Sequence, residues 1–169
     1  MKLSETLLPE MDQEMKTTRR VLERVDGNQL GWKPHEKSMS LGQLAGHLAE
    51  LPSFAVAIMN GVKFDVAPPD GKSTVQRARP ETRDEILELF DKNVAAARQA
   101  VAEAGNEALM ESWSLFKGGE PVFTLPKIAA VRSMLLSHTI HHRGQLTVYL
   151  RQTGSQVPSV YGPSADEGI

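Results

Sequence analysis

Apolar residues recur at alternating steps of three and four along four stretches of the chain, the signature of helices that bury one face. In the first, over residues 3–25, Leu8, Met11, Met15, Thr18, Leu22 and Val25 share a face. The second, over residues 40–60, carries Leu44, His47, Leu48, Leu51, Phe54 and Ile58. Ser40 with Gln43 makes an S-x-x-Q capping box at its start. Pro52 removes a ladder bond and predicts a kink or break, and Asn60-Gly61 is a stop signal. The third, over residues 82–104, opens on a second box, Thr82 with Glu85. It lines Ile86, Phe90, Val94, Ala97, Val101 and Ala104 on one side and ends at Gly105. The fourth, over residues 126–153, begins at Pro126, a favoured first-turn residue, and stops before Gly154 and Pro158.

The connections are rich in turn formers. DGNQLGWKPHEKS joins the first two helices, and residues 62–80 form a proline-rich loop. Between the third and fourth helices, Lys117-Gly118-Gly119-Glu120 separates two short aromatic-bearing runs. This predicts an extended excursion, as a small hairpin or a long loop. The tail PSVYGPSADEGI has no helical period, and no repeat is visible. The pattern as a whole predicts one domain over residues 1–169, all-α, built as a four-helix bundle. The long connections leave room for a topology other than simple up-down-up-down.

Composition narrows the function classes. A formal net charge of −2 argues against a dedicated nucleic-acid binder, which usually carries a basic surplus. The chain has no cysteine, so disulfides, thiolate metal sites and a Cys nucleophile are excluded. The N-terminal MKLSETLLPEMDQEM lacks the apolar core of a signal peptide. No run approaches the ~18 apolar residues of a membrane span. The expectation is a cytoplasmic protein with no nucleic-acid or membrane partner.

The histidines carry the candidate chemistry. At 100° per residue, Ile128, Val131, Leu135, Leu146 and Tyr149 fall in one narrow arc. His142 lies inside it and His138 at its edge, whereas His141 is displaced by roughly 100°. His47 falls among the inward positions of the second helix. Each inward imidazole needs a polar partner or costs about 1–3 kcal/mol. Protein groups can supply that partner, as they do for most buried histidines. A divalent metal can satisfy all three rings at once. Two histidines four apart on a helix reach one ion, and a third from a facing helix gives three protein ligands with an open position. The spacing does not show that His47 faces the other two. Gln145 and Glu50 are candidates to orient the rings. Arg143 lies on another side of the helix and predicts a structural contact or an interface salt bridge. Asp12, Glu14 and Arg19 could approach a pocket mouth, and His35 reads as surface.

These residues also form a pattern. SHTIHHRGQLTVYLRQTG, with His138, His142-Arg143-Gly144-Gln145, Tyr149-Leu150-Arg151 and Gly154, resembles the fourth-helix signature of the DinB family, which includes YfiT-like proteins. SLGQLAGHLAELP resembles its second-helix histidine segment, and VPSVYGPSADE is similar to the close of one branch. The resemblance implies a four-helix bundle in up-down-down-up order, often a homodimer. It implies metal ligation by His47, His138 and His142, with zinc or nickel as the expected ion. For activity it implies a metal-dependent enzyme with a small-molecule substrate. Such an enzyme activates a low-molecular-weight thiol, as in the family's S-transferases and thiol-dependent isomerases, or a water, as in its hydrolases. A non-enzymatic metal-binding or stress-response bundle, and a plain interaction bundle with satisfied core histidines, are the other readings.

Overall fold

The computed structural model describes residues 2–71 and 80–168. The amphipathic stretches become helices where their caps predict. Helix α1 spans Leu3–Leu22, and Val25 of the predicted stripe is buried in the turn that follows. Helix α2 spans Leu41–Glu50. Its capping box is complete: Ser40 Oγ accepts the Gln43 N–H at 3.1 Å, and Gln43 Oε1 accepts the Ser40 N–H at 2.8 Å. The chain breaks at Pro52 and resumes as α3, Ser53–Asn60. Strand β1 is Lys63–Asp65. Helix α4 spans Arg83–Glu103. Thr82 Oγ1 caps it through the Glu85 N–H at 3.1 Å, but the Glu85 carboxylate accepts from the Glu81 N–H instead of Thr82, so only half of the predicted box forms.

Past a short helix α5, Asn106–Met110, the chain is not helical. Strands β2, Ser112–Lys117, and β3, Glu120–Pro126, form an antiparallel hairpin with a bulge at Leu115/Phe116. Gly118 and Gly119 have φ of 65° and 84°, the left-handed pair that a tight two-residue hairpin turn requires. Strand β1 joins β2 in parallel, Phe64 opposite Leu115. The Asp65 carboxylate locks this join by accepting the N–H groups of Ala67, Gly118 and Gly119 at 2.9, 3.1 and 2.7 Å. The fold is therefore not strictly all-α. Helix makes up 58% of the described residues, so the bundle dominates and the three-stranded sheet rests on α3 and α6. The hairpin had a signal in its glycine pair. The parallel partner did not, because its pairing joins residues about fifty apart in sequence.

The last helix holds the largest departure from a regular pattern. Helix α6, Lys127–Val131, runs into a π-helical segment, Arg132–Ser137, and then into α7, His138–Gln152. Helices α1 and α2 each pack against both α4 and α7, so the first two helices of the bundle occupy opposite corners. Leu7, Met11, Leu44, Phe90, Val131 and Leu146 are all at most 1% exposed at the centre. Each such side chain contributes about 1.5–3 kcal/mol relative to exposure. Trp113, 0% exposed, carries the sheet into the same core.

A candidate metal centre on helices α2 and α7

The face α7 buries is not the one a continuous α-helix predicts. Thr139, Arg143, Leu146 and Leu150 are its buried residues. His138 and His142 sit on the shoulder of that face, half-buried, and not in the middle of the core stripe. His47 is half-buried on α2, and α2 packs directly on α7.

The three rings meet there. One ring nitrogen from each of His47, His138 and His142 lies within 4.8 Å of the others. His47 Nε2 and His138 Nε2 are 3.4 Å apart. Ring centroids are separated by 5.2 Å for His47–His138 and by 4.7 Å for both His47–His142 and His138–His142. Two nitrogens bound tetrahedrally at zinc–nitrogen distances lie about 3.3–3.4 Å apart, so the His47–His138 edge already has the dimension that an ion requires. His142 Nδ1 is 2.7 Å from Gln145 Oε1. With Nδ1 donating to that oxygen, Nε2 keeps its lone pair for a ligand role. The donor set and its spacing fit a divalent ion.

The local electrostatics favour the neutral form of His138 and His142. Burial lowers the His138 pKa from 6.5, the nearby His142 and His141 rings lower it further, and the Met134 carbonyl opposes them by accepting from the ring. Burial also lowers His142, with Gln145 opposing and His141 adding to the shift. A neutral imidazole is the form that binds metal. A cavity of about 800 Å³ reaches the site at His47, bordered by Leu30, Met39, Gly46, Glu50 and Pro80 among others. Gly46 lets the chain close in at this point: a Cβ there would sit 3.3 Å from Pro80 Cγ.

The remaining candidates separate. Gln145 touches a ring, and Glu50 borders the cavity beside His47. His141 is exposed, edge-on to His142 at 4.8 Å. His35 is exposed and its Nδ1 accepts the Lys37 N–H. Asp12 pairs with Arg98, and Arg19 with Asp91 and Glu23, so neither borders the cavity.

Glu14 is buried in a cluster the sequence did not announce. Its carboxylate holds Arg143 at 2.7 Å, with Arg143 only 1% exposed. The same guanidinium donates to the Glu14 carbonyl, to Thr18 Oγ1 and to Tyr161 Oη at 3.1, 3.2 and 2.7 Å. Tyr161 Oη in turn donates to Glu14 at 2.9 Å. The tail that delivers Tyr161 is pinned by Arg20 and Arg24 on Glu167 and by Arg151 on Asp166. Arg143 thus makes the structural contact, internal to the bundle.

Comparison with known proteins bears on the fold and the family. The model of the DinB superfamily matches residues 10–146. The uncharacterized protein YrdA of Bacillus subtilis is 54% identical over 33 residues, a span of only 20% of each chain. A DinB-like protein from Bacillus cereus is similar in structure with a TM-score of 0.73, at 25% identity over 93% of this chain and 97% of that one. The DinB-like protein YjoA from Bacillus subtilis shares the fold with a TM-score of 0.67, at 20% identity over 92% and 97%. With the family model covering most of its length, the chain belongs to the DinB superfamily.

Proposed function

We propose that the protein is a metal-dependent enzyme that uses His47, His138 and His142 to hold a divalent ion, zinc or nickel, and acts on a small molecule. The observation that carries this reading is the convergence of three half-buried imidazoles beside an open cavity. A bound ion would supply Lewis acidity, drawing the pKa of a low-molecular-weight thiol or of a water down toward neutrality. His47 and His138 set one edge of the site. Gln145 fixes the His142 tautomer, and Glu50 stands at the cavity wall where it can meet a substrate donor.

Three protein ligands at a rim leave a position for an incoming group, which favours catalysis over a closed structural site. The second reading is a non-enzymatic metal-binding bundle, favoured if all coordination positions turn out to be filled by protein. A thiol S-transferase and a hydrolase both use the same ligands. We further propose a homodimer and a cytoplasmic location. No helix among the described residues is long and apolar enough to cross a membrane.

The test is elemental analysis of the purified protein beside a His47→Ala/His138→Ala/His142→Ala variant. Near-stoichiometric metal in the wild type and none in the variant is the expected result. Thiol-transfer and ester-hydrolysis screens then separate the two activities, with turnover lost in a folded His142→Ala protein. No metal after reloading with zinc and nickel would overturn the reading.

A further inference from the structure

Two halves of one helix bury different faces. Upstream of the π-helical segment, α6 buries Lys127, Ala130 and Val131; downstream, α7 buries Thr139, Arg143, Leu146 and Leu150. Projected on an uninterrupted wheel, these faces point well over a quarter turn apart. A π turn holds about one residue more than an α turn. That single residue accounts for roughly 100° of rotation, most of the offset. In an uninterrupted helix His138 and His142 would lie close to the α6 face, toward the interior.

The register that results buries Leu146 and Leu150 fully, and it carries a polar cost beside that apolar gain. It puts Thr139 Oγ1 and Arg143 Nε in the core with no protein partner, and it leaves Val148 of the same helix 55% exposed. What it achieves is the placement of His138 and His142 on the shoulder against His47. The Arg143 clamp holds that rotation. Directly after His142 in the chain, its guanidinium is fixed by Glu14 and Thr18 on α1 and by Tyr161 from the tail.

We infer that the π-helical segment Arg132–Ser137, with the Arg143–Glu14–Tyr161 clamp, is a positioning device that turns α7 so that its two histidines leave the core and complete the three-histidine site at an accessible rim. The inference rests on the reading of these rings as metal ligands. The clamp residues and the segment touch no substrate; they act through the rotation of α7.

The experiment uses Co²⁺ as probe, with affinity and the visible ligand-field spectrum as readouts, on the full chain. Deletion of Ser133, an exposed residue of the segment, removes the extra residue. The expected variant keeps its helical circular dichroism and cooperative melting. It binds Co²⁺ at least 30-fold more weakly, with the three-nitrogen spectrum gone. A folded deletion variant that binds within threefold of the wild type overturns the inference. Should the deletion variant fail to fold, Tyr161→Phe decides. Its ring is largely exposed, so the fold survives while the clamp loses the hydroxyl. At least threefold weaker Co²⁺ binding with an altered spectrum is expected, and an unchanged affinity and spectrum overturns the inference. A wild-type protein that takes up no Co²⁺ fails the metal reading, and this inference with it. A wild type that binds beside a deletion variant that binds equally fails this inference alone.

Discussion

Helix α7 carries two polar clusters on adjoining faces, and they are built to opposite rules. Arg143 and Glu14 are charged, buried and tightly paired, with the guanidinium held by four acceptors on α1 and the tail. His138, His142 and His47 are half-buried with nitrogens toward one another, and burial lowers the pKa of His138 and His142. The first arrangement spends most of its hydrogen-bonding capacity internally, leaving only Arg143 Nε without an acceptor, and so fixes structure. The second points lone pairs at a common volume and so suits an ion. Burial and partner saturation, more than residue polarity, distinguish a structural cluster from a site that takes a ligand.

The sharpest way to break that contrast is to remove half of the charged cluster. Arg143→Met leaves the Glu14 carboxylate buried without its cation, and should cost about 3–5 kcal/mol, read as a fall in the urea midpoint. The Arg143→Met/Glu14→Leu double variant should regain much of that loss, because replacing a buried pair together is far less costly than breaking it. If the single variant is as stable as the wild type, the cluster is not the structural anchor described here.

On the other face the order of effects reverses. His142→Ala should change the stability of the metal-free protein by less than ~1 kcal/mol, as expected for a half-exposed side chain held by one exposed hydrogen bond. It should weaken zinc binding by on the order of 100-fold or more, since one of three protein ligands is lost. Calorimetric titration beside chemical denaturation measures both. A large stability loss with unchanged zinc affinity would make His142 a core histidine. Gln145→Leu is the intermediate case. It leaves the three ligands in place but frees the His142 ring, and should weaken zinc by about 10–100-fold.

Acid should separate the clusters further. His138 and His142 have pKa values lowered below 6.5, so below pH 6.5 the unfolded chain binds more protons than the folded one. Their stabilising contribution is present above pH 6.5 and is lost as pH falls through the lowered folded values. Metal affinity should fall over the same window, since protons and the ion compete for the same nitrogens. An affinity that stays flat from pH 7 down to the onset of acid unfolding would contradict imidazole ligation. The smallest effect should come from the tail: Arg151→Ala removes an exposed pair with Asp166 and should cost about 0–1 kcal/mol, detectable as a slight drop in Tm.

Several elements of this molecule were legible without coordinates, and their causes are local. The Ser40–Gln43 box, the break at Pro52 and the Gly118-Gly119 turn follow from backbone constraints of a few adjacent residues. The spacing of His138 and His142 follows from one helical turn, so their pairing was visible, and the helix-2 pattern singled out His47. Other features needed the tertiary structure because they join distant residues or depend on competing packings. Nothing near Lys63 announces that it will lie opposite Ser114. Nothing near Arg143 announces Glu14, 129 positions away. The π-helical segment contains neither glycine nor proline. A wheel drawn at a fixed angle averages over the very residue that shifts the phase, which is why it placed His142 in the core stripe. The sequence by itself determined the four long helical stretches, though not the short helix α5, and which imidazoles are available, because those depend on periodicity and short-range capping. Only the tertiary structure decided which way α7 faces, because that rotation is a balance between the Arg143–Glu14 pair, the leucine core and one extra residue in a single turn.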